Sequence, residues 1–135
     1  MTNEILQITA LLTSAFLFGG MLLFSASFAA FLFKALPATE ARLLIRKAFP
    51  SFYTFVMITS IIAAALSVRV NTLGTIILVI ITLTTIPTRQ ILMPAINAAA
   101  DSENRQRFMI LHNLSVVITL IHIIATAMVV VSFTD

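Results

Sequence analysis

Phe108 to Phe133 reads FMILHNLSVVITLIHIIATAMVVVSF, with no Asp, Glu, Lys or Arg in it. At about 1.5 Å per residue this stretch is about 39 Å long as a helix, enough to cross a hydrocarbon core of ~30 Å. Its β-branched residues would favour strands in water. In lipid a span must satisfy its own backbone hydrogen bonds, and a run without strict alternation does that as a helix.

Three similar runs precede it, giving spans at about 5–33, 51–68, 72–93 and 107–133 within a single integral membrane domain, 1–135. The first is too long for a signal-peptide core and has no Lys or Arg ahead of it. The third is expected to kink at Pro87 or Pro94, because proline lacks the backbone donor and crowds the preceding turn. The fold class read from this pattern is all-α, a four-transmembrane-helix bundle. Of the 135 residues, 60% are hydrophobic and 10% charged, so a single water-soluble core cannot hide the apolar side chains. An ordinary cytosolic enzyme, a nucleic-acid module and a disordered tail are excluded. With zero Cys there are no disulfides and no thiolate metal sites.

Seven of the 8 basic residues lie in two loops: Lys34, Arg42, Arg46 and Lys47 in one, Arg89, Arg105 and Arg107 in the other. Only Arg69 lies between spans two and three. The positive-inside rule then places the two longer loops in the cytoplasm of a bacterial inner membrane, with both termini outside.

Leu36 to Phe49 reads as a short amphipathic interfacial helix between helices 1 and 2, with Pro37 at its first position and Glu40 in its first turn. Ala41, Leu44, Ile45 and Ala48 share one side, while Arg42, Arg46 and Lys47 face the membrane surface, where anionic lipid of the inner leaflet attracts them. Phe49, Phe52, Tyr53 and Phe55 form an aromatic collar where span two enters.

Small and hydroxyl-bearing residues recur on one face of each span: Thr9, Thr13, Gly20 and Ser27; Tyr53, Ser60, Ala64 and Ser67; Thr75, Thr82 and Arg89, with Thr85 at the edge; His112, Ser115, Thr119, His122 and Thr126. Such stripes either glue helices together or line a shared polar path. The two histidines lie about 15 Å apart along the axis, too far to chelate one metal, so no metal site is expected. Each could be a proton carrier, an axial haem ligand or a hydrogen-bonded packing residue. Asp101 reads as a helix N-cap, with Ser102 as its rival and Glu103 in the first turn. The functional alternative is a polar mouth in which Arg89, Asn97, Asp101, His112 and Ser115 bind a small ligand. No phosphate loop, nucleophile elbow or paired-carboxylate spacing argues for an enzyme.

Several motifs carry a resemblance. Gly19-Gly20-Met21 with Phe24, Phe33-Lys34-Ala35-Leu36-Pro37, and Ala48-Phe49-Pro50 with Tyr53 resemble the small "transmembrane protein 205"-like membrane family. So do Pro94-Ala95-Ile96-Asn97-Ala98-Ala99 with Asp101, and Phe108 with Leu111-His112 and Ser115-Val116. The resemblance implies a four-helix membrane protein with Asn97, Asp101, His112 and Ser115 as motif positions, and hints at transport or trafficking. More remotely the layout is similar to the copper-resistance-D-like group, which includes small haem-binding protoporphyrinogen oxidases.

The leading expectation is therefore a non-enzymatic protein that binds or passes a small ligand or ion through a polar inner seam with a cytoplasmic mouth. No cofactor is assumed, and a homo-oligomer is expected if it conducts. One alternative is a haem b or quinone-linked redox protein using His112 and His122 as ligands. Another is a structural subunit of a larger membrane complex.

Overall fold

The computed structural model describes residues 2–135. Four helices run Asn3–Ala35, Ala38–Ser67, Thr72–Asp101 and Arg105–Val131, with 33, 30, 30 and 27 residues, and each is long and apolar enough to cross a membrane. At ~1.5 Å per residue they measure about 40–50 Å, so some 10–20 Å of each lies beyond a ~30 Å hydrocarbon core or is taken up by tilt. The first helix packs on the second and fourth, and the third packs on the second and fourth. The result is a four-helix bundle with each chain neighbour also a neighbour in space.

The segment before span two is helical, as its pattern predicts, but it is not a separate element. Ala38–Ser67 is one helix running through Pro50. Pro37 is its N-cap in extended conformation, not its first turn. Pro50 needs no break because helix α-geometry loses one hydrogen bond there, and the protruding end can use water instead. The third helix also passes both its prolines. A π-helical segment, Thr88–Leu92, lies between Pro87 and Pro94 and absorbs the lost backbone bonds in a wider turn. A second π-helical segment, Leu23–Phe28, lies in the first helix, where no proline is present.

The link between the third and fourth helices corrects the capping assignment. Asp101 is the last residue of the third helix, and Asn104 is the N-cap of the fourth, its side chain accepting from the Arg107 N–H at 3.2 Å. Glu103 is in the link, not a first turn, and holds a left-handed φ of 56°. Asn104 wins the cap because the left-handed residue before it turns the chain into the new axis.

The interior is filled by Leu17, Met21, Val56, Leu78, Ile81 and Val129, each 1% exposed or less. The small face of the second helix is buried as its spacing predicts: Tyr53, Ser60, Ala64 and Ser67 are all inside. In the first helix the buried face is Ala10, Ser14, Leu17 and Met21, with Ser27 exposed, about one position round from the predicted stripe. In the third, Gly74, Leu78, Ile81, Thr85 and Thr88 point in.

Candidate functional site

Buried hydroxyls in a dry interior need acceptors, and here almost all find them in their own helix. Ser14 donates to the Ala10 carbonyl at 2.8 Å, Ser67 to Ala63 at 2.7 Å, Thr85 to Ile81 at 2.7 Å and Thr126 to His122 at 2.6 Å. Ser60 also meets Thr82 of the third helix at 2.7 Å. The stripes are thus mostly back-bonded packing surfaces. Among the described residues, most buried hydroxyls are satisfied within their own helices and the centre is filled by apolar side chains.

The polar side chains concentrate at the end that carries the two basic loops. Arg46 of the second helix donates to both oxygens of Asp101 on the third, Nη1 to Oδ1 at 2.7 Å and Nη2 to Oδ2 at 2.8 Å. This is the only salt bridge among the described residues. Arg46, read from the sequence as a membrane-surface residue, is therefore a cross-helix partner. Its signal was present only as charge, since nothing in the spacing relates positions 46 and 101. The side chains are 43% and 61% exposed, on helix ends beyond the hydrocarbon, so the pair positions helices more than it stabilises them. The hydrogen bonds from Arg46, with the proximity of its charge, hold the Asp101 carboxyl below the usual carboxylate range.

Arg89 is half-buried in the π-helical segment of the third helix. Its Nε donates to the Pro50 carbonyl of the second helix at 3.3 Å, and Nη1 to Gln90 Oε1 at 3.0 Å. No carboxylate faces it among the described residues. Asn97 is half-buried two turns further along. These two residues and the Arg46–Asp101 pair share one end of the bundle.

The other expected members do not join them. His112 is exposed on the flank of the fourth helix, its ring stacked on Phe108 at 5.5 Å and 10°. It makes no side-chain hydrogen bond among the described residues. Ser115 is buried and turns its hydroxyl to the His112 carbonyl at 2.7 Å. An inward-facing mouth built on His112 is not what the structure shows: helical drift carries position 112 outward while Ser115, three residues on, points in. His122 is half-buried and meets Thr84 of the third helix, Nε2 to Oγ1 at 2.8 Å. The two imidazoles thus have different surroundings, one aromatic and one hydroxylic, and do not form a pair of ligands around one centre. No group of three or more His, Cys, Asp or Glu is placed to hold a metal among the described residues.

Chemically, this end holds a cross-helix ion pair and can offer a guanidinium and an amide to an anion. Residues 12–105 match the family model described as Domain of unknown function (DUF4149). No curated protein and no solved structure matches the chain.

Proposed function

We propose, from the premise that this chain belongs to the DUF4149 family of domains of unknown function, that it is a non-enzymatic multi-pass protein of a bacterial inner membrane that binds a small anionic ligand at its basic end. The observation that carries this reading is Arg89. A half-buried guanidinium near hydrocarbon is costly, and neutral acceptors offset its charge less than an anion does. Here it has a carbonyl and an amide oxygen but no carboxylate. Asn97 would orient the ligand, and the Arg46–Asp101 pair would clamp the second and third helices beside it. The motif likeness to the transmembrane protein 205-like family supports the same end of the bundle through Asn97 and Asp101. The filled centre favours binding over conduction through one chain.

Purified protein in detergent should gain at least ~4 °C in Tm, about 1 kcal/mol, with excess inorganic phosphate or citrate over chloride at equal ionic strength. Arg89→Gln should remove the gain. A Tm indifferent to both anions, or a gain unchanged in Arg89→Gln, would overturn the reading.

The excess of basic residues at this end supports a cytoplasmic placement, with both termini outside. The lack of Cys makes single-cysteine labelling direct. In intact spheroplasts a membrane-impermeant maleimide should label Thr72→Cys and not Ser102→Cys, and inverted vesicles should reverse this. The opposite pattern would invert the topology.

A further inference from the structure

Between the first and second helices lies an open groove of about 630 Å³, within the range of ligand sites. Its apolar wall is made by Phe16, Phe24, Phe28, Phe31, Phe52 and Phe55. Phe24 stacks on Phe52 at 4.6 Å and 11°, and Phe16 meets Phe55 edge-on at 5.3 Å, so the rings form an ordered floor. Gly20 lies beneath it, and a Cβ there would stand 2.5 Å from the Phe55 ring, so any larger residue would push that ring off its present seat.

Every lipid-facing surface is apolar, and apolarity alone would not set this groove apart. Three further features do. The π-helical segment Leu23–Phe28 forms much of the wall, and such segments interrupt a regular helix at some local cost. Ser27 and Ser51, one from each helix, also line the groove. Their hydroxyls make no hydrogen bond among the described residues. Neighbouring Ser25 and Thr54 instead back-bond to the Met21 and Pro50 carbonyls. Finally, two lysines border the same faces. Lys47 lies one turn from Ser51, and Lys34 one turn from Phe31. Neither has an ion-pair partner among the described residues.

Heights agree with this grouping. Ser27 and Lys47 are equidistant in sequence from Pro37, the link residue, so the antiparallel helices bring them to one level. The rings of Phe16 and Phe55 lie several turns deeper. From outside inward come Lys34 with Phe31 and Phe28, then Ser27 level with Lys47, then Ser51 and the rings of Phe24, Phe52, Phe55 and Phe16.

We propose that this groove is a binding site for an anionic phospholipid of the surrounding bilayer, with one acyl chain along the phenylalanines, the phosphate at the level of Ser27 and Lys47, Ser51 one turn deeper, and Lys34 about two turns further out as a second cation. Charge complementarity selects this occupant. A zwitterionic lipid carries its own cation to the two lysines, and a neutral apolar molecule leaves them and both hydroxyls unused. Arg89 is not among the residues that line the groove, and the proposal needs no anion bound at Arg89.

The chain has no Trp, so one introduced indole reports on one place. Phe28→Trp puts it in the groove, and Val117→Trp puts it on a lipid-facing flank that is 50% exposed. The protein is reconstituted in vesicles of phosphatidylglycerol and phosphatidylcholine, with either lipid brominated in turn. At Phe28→Trp, quenching should show phosphatidylglycerol preferred, by about fivefold for each lysine and about 25-fold for both. At Val117→Trp the two lipids should quench about equally. Lys34→Gln with Lys47→Gln should abolish the preference at Phe28→Trp. Both lysines are exposed, and a helical circular dichroism spectrum checks that the fold is kept. Arg89→Gln should leave the preference intact, which separates this result from anion binding at the other site. Equal quenching at Phe28→Trp would overturn the proposal. So would a preference of the same size at Val117→Trp, or one that survives loss of both lysines.

Discussion

Ala63→Leu should lower the Tm of the purified protein by about 12 °C. Ala63 is 0% exposed on the second helix, within a buried face of small residues that includes Thr59, Ser60, Ala64 and Ser67. That face allows close approach of the third helix, close enough for Ser60 and Thr82 to share a hydrogen bond of 2.7 Å. Leucine adds three carbons where no space exists. The resulting strain is the same in lipid as in water, and about 3 kcal/mol is the expected cost. At about 4 °C per kcal/mol for a chain of this size, that gives the stated shift. Ile61→Leu, two residues away but 57% exposed to the outside, should change Tm by less than 2 °C. Thermal unfolding followed by circular dichroism in detergent measures both. An Ala63→Leu protein as stable as the parent would show that these helices are not in tight contact.

Leu78→Ala tests the opposite fault. Leu78 is 0% exposed in the centre of the bundle, and truncation leaves a cavity. In soluble proteins such a change costs about 2–5 kcal/mol, part of it the transfer of leucine out of water. Between helices already in lipid the transfer part largely disappears, because acyl chains are as apolar as leucine. Lost dispersion contacts remain. The expected cost is therefore about 2 kcal/mol, or roughly 8 °C in Tm. Leu73→Ala, at a position 57% exposed, should cost little. If both variants lost equal stability, burial inside the bundle would not be what holds Leu78.

These two expectations rest on a bundle that is packed, not lined with water. The hydroxyl stripes invited either interpretation. Back-bonding of Ser14, Ser67, Thr85 and Thr126 to carbonyls of their own helices decides for packing at those positions. The distinctive chemistry moves to the rims: Arg89 and Asn97 at one end, and the phenylalanine groove with its serines and lysines on the flank.

Charge and hydropathy were enough to find four helices, their approximate limits and the basic end. Charged side chains are excluded from hydrocarbon over about twenty residues, and that exclusion is written along the chain itself. The inward face of the second helix was also legible, because its small residues recur at helical spacing and had only one good use. Position 112 was not legible. Its spacing to Ser115 allowed both to face inward, and only the rotation of the fourth helix against its neighbours left the imidazole on the exposed side, where it stacks on Phe108 one turn back on the same helix. Nor could residues 46 and 101 be paired in advance, since they lie on different helices and 55 residues apart. The groove depends on a π-helical turn in the first helix with no proline to announce it, and on Phe55 lying where Gly20 leaves room. Sequence alone determined that the chain lives in lipid as helices, because solvation acts on each segment separately. Tertiary structure decided which polar groups meet, because a meeting depends on the relative rotation and bend of two helices, and no one segment contains that information.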